Sequence, residues 1–278
     1  MKSSLPSVSI VIPCYNDSKY IETAVESAYS QKLENLEIII VDDGSDEKTK
    51  LVLQSLRSKI NKIITQTNLG VSAARNAGIK ESSGDYILVL DSDDFFEPGF
   101  CKKALRAFQT GDNVRLVTCY AKWFIDSTNY QIHKPAGGEL KNFLYRNSAL
   151  SNSMFLKKDW RKVGGYDESM KDGWEDWEFF IRLHKDGGNT IVIPEVLFHY
   201  RMKKKSKTSI ANQNRYDLLN CILEKHSDLY KDRFSETITY LINELKKEEA
   251  ARKRVQKKMD YKIGRFVLSP VRFLRSLY

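Results

Sequence analysis

The stretch Tyr86-Ile87-Leu88-Val89-Leu90-Asp91-Ser92-Asp93-Asp94 decides the fold. Five hydrophobic residues in a row, without alternation, read as a strand buried on both faces, as in the middle of a parallel sheet with helices on each side. The run stops in three carboxylates, so the strand delivers them to the rim at its carboxyl end, where open α/β sheets take up ligands. Carboxylates this close repel one another unless a cation or a hydrogen-bond network offsets the charge, and their hard oxygens suit Mg²⁺ or Mn²⁺. Alone, the cluster reads equally well as a solvated turn or a helix cap. The flanking elements decide.

Upstream, Val8 to Ile12 is a second buried strand, broken at Pro13, with Tyr15, Asn16 and Asp17 in the loop at its carboxyl end. Asp17 or Ser18 is placed to cap a helix whose apolar face is Tyr20, Ile21, Ala24, Val25, Ala28 and Tyr29. Leu36 to Val41 repeats the strand pattern and ends in Asp42-Asp43-Gly44-Ser45, before a helix to about Leu56. After a short strand at Lys62 to Thr65, the small residues around Ala73-Ala74-Arg75-Asn76-Ala77-Gly78 let a helix lie close on the sheet, with Arg75 near its first turns facing anions. Downstream, a helix from Pro98 to about Thr110 leads to a strand at Val114 to Tyr120. Asp126 to Arg146, polar and containing Pro135 and Gly137-Gly138, reads as a loop over the site. Ser153 to Leu156 is a short strand, and Asp159 is placed to cap a helical turn ending at Gly164-Gly165. Asp172 to Glu178 starts a further helix, and Ile191 to Pro194 and Val196 to Arg201 are two closing strands. Alternating strands and helices predict an α/β, mainly parallel, doubly wound sheet.

The 278 residues, 41% hydrophobic, suffice for one α/β domain and an appendage. The net charge of +9 is uneven: Lys203 to Tyr278 holds 19 Lys and Arg against 9 Asp and Glu, whereas the first 202 residues are nearly neutral. The domain boundary is expected at 207/208, with a helical extension over 208–278. Tyr216, Leu219, Ile222 and Leu223, and then Ile238, Leu241, Ile242 and Leu245, repeat at helical spacing as packing faces that could also join copies of the chain. From 261 to 278, Phe266, Leu268, Phe273 and Leu274 interleave with Lys262, Arg265, Arg272 and Arg275, the pattern of a segment lying on an anionic membrane surface. No nucleic-acid-binding motif accompanies these cations, so nucleic acid is not the expected partner. Four cysteines without a Cys-x-x-Cys pair, no apolar run long enough to span a membrane and no signal-peptide pattern predict a cytoplasmic protein, peripheral on the inner face of the cell membrane.

Six motifs in order, Ile12-Pro13-Cys14-Tyr15-Asn16, Val41-Asp42-Asp43-Gly44-Ser45, Ala73 to Gly78, Asp91-Ser92-Asp93-Asp94, Trp174-Glu175-Asp176 and His199-Tyr200-Arg201, give residues 7 to 205 a resemblance to the inverting family-two glycosyltransferases with the GT-A fold. The resemblance implies a nucleotide-sugar donor, most often a UDP-sugar, a glycan or lipid-linked acceptor, and a role in bacterial-type surface polysaccharide synthesis. It places Pro13, Tyr15, Asp17, Asp43, Arg75, Asp91, Ser92 and Arg201 around the donor nucleotide. It makes Asp93, Asp91 and His199 ligands of Mn²⁺ or Mg²⁺, Asp176 the general base with Glu175 beside it, and Trp174 and Trp177 stacking surfaces for the acceptor. Simpler readings stand beside these: a Tyr15 ring packed on the core, an Asp42-Asp43 helix cap, a surface ion pair for Arg75, a packed His199, and an acidic first helical turn at Glu175-Asp176. Lys203, Lys204 and Lys205 could add positive charge beside Arg201, but read first as solvated. The Gln-x-x-Arg-Trp motif of processive family members is absent from this sequence. A nucleotidyltransferase is the nearest alternative enzyme, but its Gly-rich phosphate loop is replaced by Pro13-Cys14-Tyr15-Asn16.

Overall fold

The computed structural model describes residues 7–111, 113–203, 214–258, 261 and 263. β1 (Val8–Cys14) is buried at every position, which is why its sequence shows no alternation. It pairs in parallel with β2 (Leu36–Asp42) on one side and β4 (Tyr86–Val89) on the other, and β3 (Lys62–Thr65) extends the parallel set beyond β2. Successive β1 side chains point to opposite faces. Ile10 and Ile12 join Ile21, Ala24, Val25 and Ala28 of α1 (Ile21–Tyr29) in one core. Val11 meets α3 (Val71–Glu81) on the other face, where a Cβ on Gly78 would come within 2.4 Å of Val11 Cγ1. α2 (Glu47–Ser55) follows β2. All four strands therefore run the same way, with their carboxyl ends at one rim.

The chain continues through β5 (Phe95–Phe96), α4 (Phe100–Phe108), β6 (Val114–Phe124), β7 (Tyr130–His133), α5 (Leu140–Phe143), β8 (Met154–Leu156), α6 (Lys157–Val163), α7 (Glu175–His184) and β9 (Asn189–Arg201). The strands form one nine-stranded sheet in the order β3-β2-β1-β4-β8-β6-β9-β5, with β7 paired to β6. The α/β sheet flanked by helices is thus as expected, and its parallel run extends from β3 to β4. Beyond β4 the pairings are antiparallel except for β6 with β9. Tight turns permit this, as at β6–β7, where the Asp126 carboxylate accepts from Thr128 and Asn129.

Several local expectations change. β1 continues through Pro13 to Cys14. α1 starts at Ile21 with Tyr20 as its N-cap, and the Asp17 main-chain carbonyl accepts from the Tyr20 and Ile21 amides, leaving the Asp17 side chain for the rim. Asp126 to Arg146 is no structureless loop, since it holds β7 and α5. Asp159 lies inside α6 and pairs with Arg115 at 3.4 Å instead of capping. The two closing strands are one strand: Pro194, which has no N–H to donate, falls with Glu195 in a bulge between the Cys119↔Ile193 and Tyr120↔Val196 pairs.

Two compact units are present, Met1–Leu219 and Asn220–Tyr278, and the division lies within α8 (Arg215–Lys225). α9 (Ser227–Asp232) and α10 (Phe234–Lys257) follow. Ile222, Leu229 and Tyr230 are buried. Tyr216 and the expected packing residues Ile238, Leu241, Ile242 and Leu245 are exposed. Among the described residues no helix is long and apolar enough to cross a membrane. The expected membrane-surface segment, 261–278, lies outside the described residues except at 261 and 263.

Candidate active site

The rim is assembled from the carboxyl ends of β1, β2 and β4, the residues after β5 and β9, and the first turn of α7. The β1 and β2 loops are tied together. The Asp43 amide donates to Cys14 O (2.9 Å), the Ser45 amide to Asp42 Oδ1 (2.9 Å), and the Asp46 amide to Asn16 Oδ1 (2.8 Å). Tyr15 is half exposed at this rim, so its ring is not core packing. Pro13, expected at the nucleoside, is buried within β1 opposite Val41 and only shapes the strand's exit. Asp43 is also turned inward: Oδ1 accepts from Gln66 Nε2 (2.7 Å) and the Leu69 amide (2.9 Å), and Oδ2 from the Gly70 amide (2.9 Å). It orders the 66–70 loop and the start of α3 instead of opening to a base or ribose.

Arg75, on α3, is 2% exposed. It meets no open anion site as was expected; one terminal nitrogen donates to Asp91 Oδ1 (2.9 Å) and the other to Glu175 Oε1 (2.7 Å). Its guanidinium lies over the Tyr166 ring at 5.3 Å. Asn76 holds the main chain there by accepting from the Tyr166 amide (2.8 Å) and donating to its carbonyl (2.8 Å). Arg75 therefore clamps the aspartate turn of β4 to the start of α7, and Asn76 ties α3 to the main chain at Tyr166. A buried charge is tolerable only when paired in this way.

Ser92 donates to Asp17 Oδ2 (2.6 Å). Lys203, expected to be solvated, spans the other Asp17 oxygen (3.0 Å) and Asp93 Oδ2 (2.8 Å). Burial pushes the Asp93 carboxyl above its ordinary range and Lys203 opposes that shift. Asp94 is 1% exposed; burial, then Asp93 and Asp91, raise it well above the usual carboxylate range, while the Arg201 amide donates to its Oδ1 (2.8 Å). Arg201 Nε donates to the Asp93 carbonyl (3.1 Å), and its guanidinium sits between the Tyr20 (4.5 Å) and Phe124 (4.8 Å) rings.

His199 is not brought to the aspartates. In register opposite Phe95 and stacked on it at 4.4 Å, it directs Nε2 to Glu97 Oε1 (2.7 Å), and burial lowers its proton affinity. Its role as a metal ligand is therefore withdrawn. Among the described residues no three His, Cys, Asp or Glu side chains stand together as a metal cage. Two carboxylates of the rim would suit a smaller protein contribution to such a site. Asp91 and Asp93 are partly open, and an ammonium already rests on Asp93, which fits a divalent ion held by one or two carboxylates, water and substrate phosphate.

At α7, Glu175 is buried against Arg75, and Asp176 is only partly buried. Asp176 Oδ1 accepts from the Trp177 amide (2.8 Å) and Oδ2 from Asn147 Nδ2 (2.9 Å). Burial first, and then the Glu175 carboxylate, push Asp176 up to about 7. Asn147 lies in a stretch without a motif, and nothing in its sequence surroundings marked it. Trp177 is 4% exposed, with its indole N–H given to the Phe143 carbonyl, so it is core and not an acceptor surface. Trp174 is partly exposed, its ring 5.0 Å from that of Trp177, and its φ of +61° is uncommon for a bulky residue and turns the chain into α7.

Comparison with known proteins agrees with this geometry. The family model described as Glycosyl transferase family 2 matches residues 9–171, and the chain belongs to that family. It is 41% identical over 227 residues to EpsH of Bacillus subtilis, an alignment covering 72% of this chain and 62% of that protein, so the chain spans less than two thirds of that relative. Among solved structures, S. aureus TarS 1-349 in complex with UDP-GlcNAc superposes with a TM-score of 0.61 at 19% identity, over 73% of this chain and 60% of that one. Mannosyltransferase PcManGT from Pyrobaculum calidifontis, in complex with GDP-Man and Mn2+, gives 0.58 at 16% identity, over 74% and 60%. These two likenesses establish the GT-A fold.

Proposed function

We propose that this chain is an inverting glycosyltransferase that moves a sugar from a nucleotide-sugar, a UDP-sugar before others, to a hydroxyl of a glycan or lipid-linked acceptor in surface polysaccharide synthesis. The observation that carries the reading is the Asp91–Arg75–Glu175 bridge, which holds the Asp91-x-Asp93 rim in a fixed relation to Asp176. Transfer needs both parts: a place for the donor's anionic leaving group and a base beside the incoming hydroxyl, held in line. Tyr15 is open for a base to stack on, and Asp17 and Ser92 are assigned to the ribose. Asp91 and Asp93 would hold Mn²⁺ or Mg²⁺. Bound there, such an ion supplies Lewis-acid stabilisation of the charge gathering on the leaving diphosphate.

Asp176 takes the acceptor proton. A base works best with a proton affinity near the working pH, and burial brings Asp176 close to that. Asn147 and the Trp177 amide aim its two oxygens, Glu175 and Arg75 hold the helix start, and Trp174 offers a face to the acceptor sugar. Direct attack by the acceptor hydroxyl on the anomeric carbon breaks the bond to the diphosphate and inverts that centre. The UDP-GlcNAc bound to TarS supports a uridine donor, and the GDP-Man bound to PcManGT makes a GDP-sugar the first competitor. The basic segment 261–278 is proposed to keep the enzyme on the cytoplasmic membrane face.

The test is nucleoside diphosphate release from a panel of UDP-, GDP-, CDP- and dTDP-sugars, with Mn²⁺ or with EDTA, in wild type and Asp176→Asn. Release from UDP-sugars that needs Mn²⁺ and is lost in Asp176→Asn is the expected result. Release indifferent to Asp176→Asn contradicts the assignment of the base.

A further inference from the structure

We propose that Lys203 is the resident cation of the donor site: its ammonium bridges Asp17 and Asp93 in the ligand-free enzyme and is displaced when a divalent ion takes Asp93. The inference rests on the metal reading above and adds a residue to it.

The carboxylates of the rim each have a different partner. Asp91 is paired with buried Arg75. Asp94 is enclosed and accepts from the Arg201 amide. Asp17 accepts from Ser92 on one oxygen. Among the described residues, the ion-pair partner of Asp93 is Lys203, and the same ammonium holds the remaining Asp17 oxygen. One point charge thus joins two loops 76 residues apart in sequence. The Tyr20 ring, 4.7 Å from the Lys203 Nζ and 4.5 Å from the Arg201 guanidinium, supports its position.

A divalent ion on Asp93 and an ammonium at 2.8 Å from the same carboxylate oxygen exclude each other, since both are cations seeking the same lone pairs. The charge arithmetic favours exchange only when the incoming ion brings more than the ammonium does. A divalent ion does so, with two charges against one, and a diphosphate entering with it offsets the excess positive charge. Lysine suits this task where arginine would not. Its compact ammonium on a flexible four-carbon stem gives way without breaking a planar, two-pronged contact, and remains tethered beside whatever anion enters. Lys203 thereby balances two carboxylates, Asp17 and Asp93, and the metal meets a threshold set by the Lys203 contact. Under this competition the apparent dissociation constant for the metal exceeds the intrinsic one by the inverse of the fraction of molecules in which Lys203 is away.

The probe is Mn²⁺ alone, titrated into the full chain and followed by the electron-paramagnetic-resonance signal of the free ion, in wild type, Lys203→Gln, Lys19→Gln and Asp93→Asn. Lys19 is the control for a general change of charge, because its ammonium also lies over the Tyr20 ring, at 5.1 Å, on an exposed side chain. Lys203→Gln should bind Mn²⁺ about five- to tenfold more tightly than wild type, with Lys19→Gln close to wild type and Asp93→Asn losing the site. Affinity in Lys203→Gln equal to or weaker than wild type overturns the proposal while leaving the metal reading in place, and so does an equal gain in Lys19→Gln. Mn²⁺ that binds wild type and Asp93→Asn alike contradicts the metal reading itself, and Lys203 as its competitor with it. Thermal unfolding of each variant establishes that the titrated protein is folded.

Discussion

The rim of the parallel half and the start of α7 both present carboxylates, but they are balanced differently. At the rim the partners are cations: Arg75 on Asp91 and Lys203 on Asp93 and Asp17. At α7 the partners of Asp176 are neutral, the Asn147 amide and the Trp177 N–H, and the nearest cation, Arg75, is already shared by Asp91 and Glu175. A carboxylate whose charge is balanced by a cation is suited to hold a metal or position charge. One held by neutral donors in a partly dry setting gains proton affinity and is suited to move a proton. The same functional group is thus given two tasks by its surroundings, and Arg75 is the seam between them.

Removing the proton acceptor should have the largest effect. Asp176→Asn is expected to lower the transfer rate by about 10²- to 10⁴-fold with the fold intact, measured as nucleoside diphosphate release under saturating donor. Cutting the seam comes next. Arg75→Met leaves Asp91 and Glu175 without their buried cation and should cost about 3–5 kcal/mol in urea unfolding, against no loss if Arg75 were a surface ion pair. A smaller change sharpens the contrast on the α7 side. The Asn147 amide donates to the ionised form of Asp176, so Asn147→Ala should raise the proton affinity of Asp176 and move the acid limb of the rate profile to higher pH, whereas an Asn147 that only packs would leave the limb in place.

The smallest effect is a stability difference with a definite sign. Folded Asp176 binds its proton up to about pH 7, above the ordinary carboxylate value of 3.8, so between these the folded state holds more proton than the unfolded one. Its contribution to stability therefore falls as pH rises through that window. Asp176→Asn removes this slope: it should melt several degrees above wild type beyond pH 7, and the gap should close below pH 4, as read by thermal scans across pH.

Strands buried on both faces announce themselves as unbroken apolar runs, and β1, β2 and β4 were legible for that reason, together with the carboxylates at their ends. The second half of the sheet was less so. β6 and β9 are long and bulged, Pro194 suggests a break where the strand only bulges, and β7 is too polar to stand out from the turn before it. Within the site, residue identity was legible but orientation was not. Asp43 and Arg75 carry the chemistry expected of ligand contacts, yet the 66–70 loop and Glu175 take up their polar atoms, and His199 turns to Glu97. Such pairings depend on which loops meet, and local sequence carries no record of that. Asn147 escaped for the same reason, and so did the pairing of Lys203 with Asp17 and Asp93.

The division of labour is tested most directly by calorimetric titration of UDP, in the presence of Mn²⁺, into Asp93→Asn and Asp176→Asn. The account expects Asp93→Asn to weaken UDP binding by at least about tenfold, since it strips the metal side of the site, and Asp176→Asn to bind within about twofold of wild type. UDP bound normally by Asp93→Asn, or lost equally in Asp176→Asn, would contradict the assignment of one carboxylate group to the donor and the other to the proton.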